Sequence, residues 1–187
     1  MANKNEPFGL RAIGKVGQNR DNQGLSEYDI NTTTSTIYFQ DPVKAVADGG
    51  ITVAAAGDLL MGSLNGVFYT DVNTSKPTFA NHFLAGNTAS DAIGFVSDDP
   101  YERFEIQSAG SVTGADIFLV ADIAYTAGDS ANYVSKAEIS GTMATGSAAQ
   151  LRILGISKDP SNNDTGSANV NVVVNINEHT LNSVNGI

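Results

Sequence analysis

The chain contains no cysteine and no tryptophan. Without thiols, neither a disulfide nor a thiolate metal site can form. No apolar run approaches the roughly 20 residues that a helical membrane span requires. The opening residues, Met1 to Glu6, carry no hydrophobic stretch of the secretory kind, so assembly in a cytoplasm is expected. Charge is also scarce, at 16% of residues against a usual quarter. Only two histidines occur, His82 and His179. Neither sits in a His-x-His or His-Glu-x-x-His pattern, and there is no Gly-x-Ser-x-Gly elbow and no Walker-type loop. Nucleophilic catalysis needs a base beside the nucleophile. No catalytic, cofactor-binding or metal-binding residue is therefore assigned, and the chain is expected not to be an enzyme.

What is present is Ser, Thr, Asn, Gly and Ala in abundance, residues that favour turns and strands because their short polar side chains compete for backbone hydrogen bonds. A length of 187 residues suits one domain, and an apolar fraction of 41% suffices for a core. The net charge of -10 argues against free nucleic acid as a partner, since that needs a basic stripe to displace counterions. The charge is unevenly spread. Lys4, Arg11, Lys15 and Arg20 oppose only Glu6 in the first twenty residues, so that segment is about +3 and the remainder about -13 of the net -10. Residues 1–24, rich in Gly and Asn, read as an extended N-terminal arm with Phe8, Leu10 and Ile13 as apolar anchors. Residues 25–187 read as a single β-rich domain.

Many short strands at about ten-residue spacing, separated by Gly and Asn turns, predict an all-β fold, an antiparallel β-barrel or sandwich. Asp48-Gly49-Gly50 reads as a tight turn. Asn65-Gly66 predicts a hairpin over 59–72. Residues 73–91 read as an irregular polar loop, and 115–123 as either a strand or one short helix. Leu151 to Ile156 and Val170 to Asn177 are expected to pair as a long antiparallel hairpin. In Asp98 to Gln107 a proline-stiffened turn leads into an alternating strand, with Phe104 and Ile106 toward the core and Arg103 and Glu105 on the other face. Asp98, Asp99 and Glu102 are placed like turn caps rather than as a glycosidase pair. The loop Asp159 to Asp164 lacks the glycine and closing glutamate of a calcium loop.

Three stretches together resemble a known family. They are Ala2-Asn3-Lys4-Asn5-Glu6-Pro7-Phe8-Gly9-Leu10-Arg11; Asp98-Asp99-Pro100 with Phe104-Glu105-Ile106-Gln107; and Leu151-Arg152-Ile153-Leu154-Gly155-Ile156 with Asp159-Pro160 and Val174-Asn175-Ile176-Asn177-Glu178-His179. In order and spacing they are similar to the structural cement, or head decoration, proteins of tailed bacteriophages. The chain departs from that pattern in 73–91 and in Ser161-Asn162-Asn163. The resemblance implies a β-rich virion protein, commonly a homotrimer, on the outer surface of an icosahedral capsid. There it would bridge neighbouring major capsid protein subunits, with neither nucleic acid nor membrane as a partner. Phe8, Leu10, Arg11, Ile13, Lys15 and Arg20 are then candidates for capsid contact, and Arg103 and Glu105 for a subunit interface. The alternative is a virion-surface carbohydrate- or receptor-binding module presenting the loop around His82.

Overall fold

Period-two alternation of apolar residues governs the architecture. The computed structural model describes residues 2–17, 24–31, 35–146 and 148–182. Along the chain its strands are β1 (Arg11–Lys15), β2 (Ser26–Asp29), β3 (Pro42–Ala45), β4 (Ile51–Val53), β5 (Gly62–Thr70), β6 (Pro77–Ala80) and β7 (Ile93–Ser97). They continue as β8 (Glu102–Gln107), β9 (Val120–Ala121), β10 (Ile123–Ala124), β11 (Glu138–Ile139), β12 (Leu151–Ile156) and β13 (Asn171–Ile176). The first sheet runs β1-β8-β13-β12-β9 and the second β2-β7-β5-β3-β4, with β6 also paired to β5. β10 and β11 form a small ribbon. Every pairing between these strands is antiparallel, three isolated bridges outside them being parallel, and the sheets stay open, so the fold is an all-β sandwich rather than a barrel.

Alternation on β8, β13 and β12 sends Phe104, Ile106, Val172, Val174, Leu151 and Ile153 into one core, all fully buried. A second core gathers Leu64, Val67, Val96, Val43, Ile51, Ile37 and Phe83 beneath the second sheet. Two seams join the halves: Gln150 Nε2 donates to the carbonyls of Ala55 and Asp58, both at 2.8 Å, and Leu60 N–H donates to Glu178 O at 2.9 Å. The expected hairpins β3–β4 and β12–β13 are present.

Two local expectations fail. Asn65-Gly66 makes no turn; β5 runs straight through it, and a register slip between Leu64 and Gly66 absorbs the extra residue as a bulge. The chain reverses after Thr70 instead, where the Asp71 carboxylate caps the N–H groups of Asn73 and Thr74. The return strand is β6, so 73–91 is not wholly irregular. Residues 115–123 form neither a long strand nor an α-helix. They hold a 3-10 turn at Gly114–Asp116, then Phe118 at φ 73°, then β9 and the start of β10.

The N-terminal segment is extended, and it is threaded into the domain. Leu10 is fully buried in the first core, at 0% solvent exposure. Its N–H donates to Gln40 O at 2.9 Å and its carbonyl accepts from Ser63 Oγ at 2.6 Å. Gly9, at φ +77°, makes this passage possible, since a Cβ there would lie 2.2 Å from Gln40 O and 2.6 Å from Ser135 Cβ. Gly9→Ala is expected to cost about 3 kcal/mol or more, from left-handed backbone strain plus overpacking against backbone. Gly17→Ala, at φ +78° in open space, is expected to lose only about 1–2 kcal/mol. Urea denaturation of the two variants checks the difference.

Candidate interaction surface

The segment before Leu10 is strapped to the outer face of the first sheet by side-chain amides. Gln107 on β8 donates to Lys4 O at 3.0 Å and accepts from Glu6 N–H at 3.0 Å. Asn162 accepts from Lys4 N–H at 3.1 Å and donates to Lys4 O at 2.8 Å. Asn3 donates to Asp164 O and Ala168 O and accepts from Asp164 N–H. Gln107, Asn162 and Asn171 are all buried, and buried amides require partners; the strap supplies them to Gln107 and Asn162, which in turn donate to Asn171 Oδ1. The polar loop at 159–166 is thus a clasp for the N-terminus. Its carboxylates serve its own turns, Asp159 capping Ser161 and Asp164 capping Gly166.

The six residues expected to reach a capsid fare differently. Leu10 belongs to the core and is withdrawn as a contact residue. Phe8 is half-buried, with the Arg11 guanidinium 4.6 Å above its ring. Arg11 also pairs with Glu105, and Lys15 Nζ lies 2.7 Å from Asp99 Oδ2. Ile13 is 47% exposed on β1, an edge strand bonded only to β8. Val16, which follows it, is 48% exposed. A bulge at Ala12–Gly14 bends this edge, and Gly14 N–H donates to Glu102 Oε1 at 3.1 Å. Arg20 lies outside the described residues.

The two subunit-interface candidates also part company. Glu105 is buried; the Arg11 guanidinium and the Ser157 hydroxyl bond its carboxylate from within the chain. It is therefore unavailable to a neighbour, because a desolvated carboxylate must keep its own partners. Arg103 is half-buried, and its Nε is buried without a hydrogen bond. It opens onto a cavity of about 440 Å³ walled by Val16, Leu154 and Val173.

The remaining acids and histidines have structural work. Tyr28 hydroxyl donates to Asp98 at 2.5 Å, and burial together with Asp98 pushes the phenol up to about 12. Asp99 caps Tyr101 N–H at 2.8 Å. Burial raises the Glu102 carboxyl. His82 stacks on Tyr133, centroids 3.5 Å apart and planes 5° apart, and burial lowers its imidazole. His179, buried beside Leu60, is lowered for the same reason. Among the described residues, no three acidic or imidazole groups meet in a way that could hold a metal ion. Asp41 is wholly buried, accepting from Tyr38 N–H at 2.8 Å and from the Tyr125 hydroxyl at 3.2 Å. Desolvation pushes its carboxyl from 3.8 up to about 6.

Between pH 4 and pH 6, roughly, folded Asp41 keeps a proton that the unfolded chain releases, so its contribution to stability falls as pH rises and is flat above. Asp41→Asn is expected to remove this component, about 3 kcal/mol between the two limits. Subtracting the variant's urea-derived stability from that of the wild type at each pH isolates it. Arg11→Ala is expected to cost about 1–3 kcal/mol by leaving Glu105 with one partner. Adding Glu105→Gln to that variant should restore most of the loss in the same assay.

Comparison with protein-family models, with curated proteins and with solved structures returns no match to this chain.

Proposed function

We propose that the chain is a non-catalytic capsid cement protein. It binds the outer surface of an icosahedral phage head, as a self-associated homotrimer, and ties neighbouring major capsid subunits together. One observation carries this reading beyond the sequence resemblance. The three resembling stretches, each more than forty residues from the next in the chain, come together as neighbours. The N-terminal strap and β1 lie on β8, β8 pairs with β13, and β13 pairs with β12. A likeness that falls on one contiguous sheet describes a surface, which is what a decoration protein uses.

The arrangement moves the proposed contact away from a free arm. Ordering a loose arm costs about 1–2 kcal/mol per residue; the strapped segment is already ordered before any partner arrives. The contact residues become Ile13 on the exposed β1 edge and Val16 just after it, with half-buried Arg103 beside Val16. Such a rigid patch loses little freedom on docking. Repetition over a symmetric shell then multiplies a modest contact.

The test mixes the purified chain with empty shells of the major capsid protein encoded in the same genome. Saturable co-sedimentation and a higher shell-disruption temperature are expected. Ile13→Asp with Val16→Asp should weaken binding roughly tenfold or more, as loss of an interface anchor does, with the urea midpoint unchanged. Failure to co-sediment overturns the proposal. Deleting residues 2–20 is not the right probe, because it removes Leu10 and β1 from the fold.

A further inference from the structure

The second sheet carries an aromatic face that nothing among the described residues covers. On β5, β6, β7 and β2 the core side takes Val67, Ala80, Gly94 and Tyr28, in register with one another. The opposite side takes Phe68, Phe79, Ile93 and Phe95. Phe79 is 76% exposed and the other three are half-buried. The rings support one another, Phe68–Phe79 at 4.8 Å and Phe79–Phe95 at 6.5 Å between centroids. The solvent face of an antiparallel sheet is ordinarily polar. Here three of the chain's eight phenylalanines sit on it, braced and therefore cheap to immobilise further.

The border of this face is acidic. Glu27 lies beside Phe95 and Asp29 beside Ile93 on β2, both exposed, and exposed Asp91 caps Thr70 N–H at 3.0 Å. Lys76, on the turn between β5 and β6, is the cation on that side. Two copies meeting through this face would bring acidic borders together in a chain of net charge -10, which like-charge repulsion opposes. An anionic membrane is opposed for the same reason. The 50° tilt between Phe68 and Phe79 is a poor match for the flat face of a sugar.

We infer that the outer face of the second sheet is a docking surface for another protein that presents an apolar ridge bordered by lysine or arginine. Phe79 is the anchor, and Glu27 and Asp29 orient the partner's cations. This surface is on the sheet opposite the proposed capsid contact, and its assignment does not rest on that reading.

The probe is a synthetic amphipathic peptide with a leucine ridge flanked by lysines, titrated into the full chain. Aromatic proton–carbon NMR follows the phenylalanine rings, and calorimetry gives the affinity at two salt concentrations. Shifts are expected at Phe68, Phe79 and Phe95. Phe79→Ser, at an exposed position, is expected to weaken binding roughly thirty-fold, with Phe79→Tyr close to wild type. Glu27→Gln with Asp29→Asn should weaken it roughly three- to tenfold and flatten the salt dependence. Three results overturn the inference: unchanged affinity in Phe79→Ser, equal binding of a peptide with serine in place of leucine, or self-association of the chain alone that Phe79→Ser abolishes. No capsid enters the experiment, so its failure leaves the capsid proposal standing.

Discussion

Leu10 holds the two halves of the sandwich together. Its side chain fills the first core, while its backbone is bonded on both sides to elements of the second sheet, Gln40 and Ser63. Few residues are so placed that side chain and main chain serve different layers. The strap before it and β1 after it are consequences, since a chain fixed at Leu10 can only run along β8 in both directions. Fixing that backbone is entropically expensive, and hydrogen bonds from the buried amides of Gln107 and Asn162 to Lys4 and Glu6 offset the cost.

A similar economy governs the use of charge. With so few charges, most that lie near the sheets are committed internally: Arg11 to Glu105, Lys15 to Asp99, Lys44 to Asp58, Lys136 to Asp129. Carboxylates cap turns and accept backbone N–H groups rather than facing one another across a cleft. Among the outward side chains, Ile13, Val16 and Phe79 are large and apolar, and Glu27, Asp29 and Asp91 are acidic.

Much of the fold was legible in the sequence, because alternation on β8, β12 and β13 is a local property that the finished sheet preserves. Asn65-Gly66 misled because turn preference is weak against cross-strand pairing; Phe68 opposite Phe79 and Val67 opposite Ala80 need β5 continuous. The N-terminus misled for another reason. A loose arm and a strap have the same Gly, Asn and Lys composition, and what separates them is a partner more than a hundred residues away. Glu105 shows the limit of periodicity: it was assigned to the correct face, but nothing in a strand pattern tells whether that face is covered. The aromatic face was missed because Phe68, Phe79 and Phe95 lie in three separate segments, each unremarkable alone.

The strap also bears on when this protein can fold. Asn3 and Lys4 find their partners at 158 to 165 residues' separation, and β8 finds β13 some 64 residues on. These residues are therefore paired only once segments about 160 positions later in the chain are in place. Long-range antiparallel closure of this kind is slow and leaves strand edges open meanwhile. An abundance of Ser, Thr, Asn and Gly and a net charge of -10 work against edge-to-edge association of such open strands.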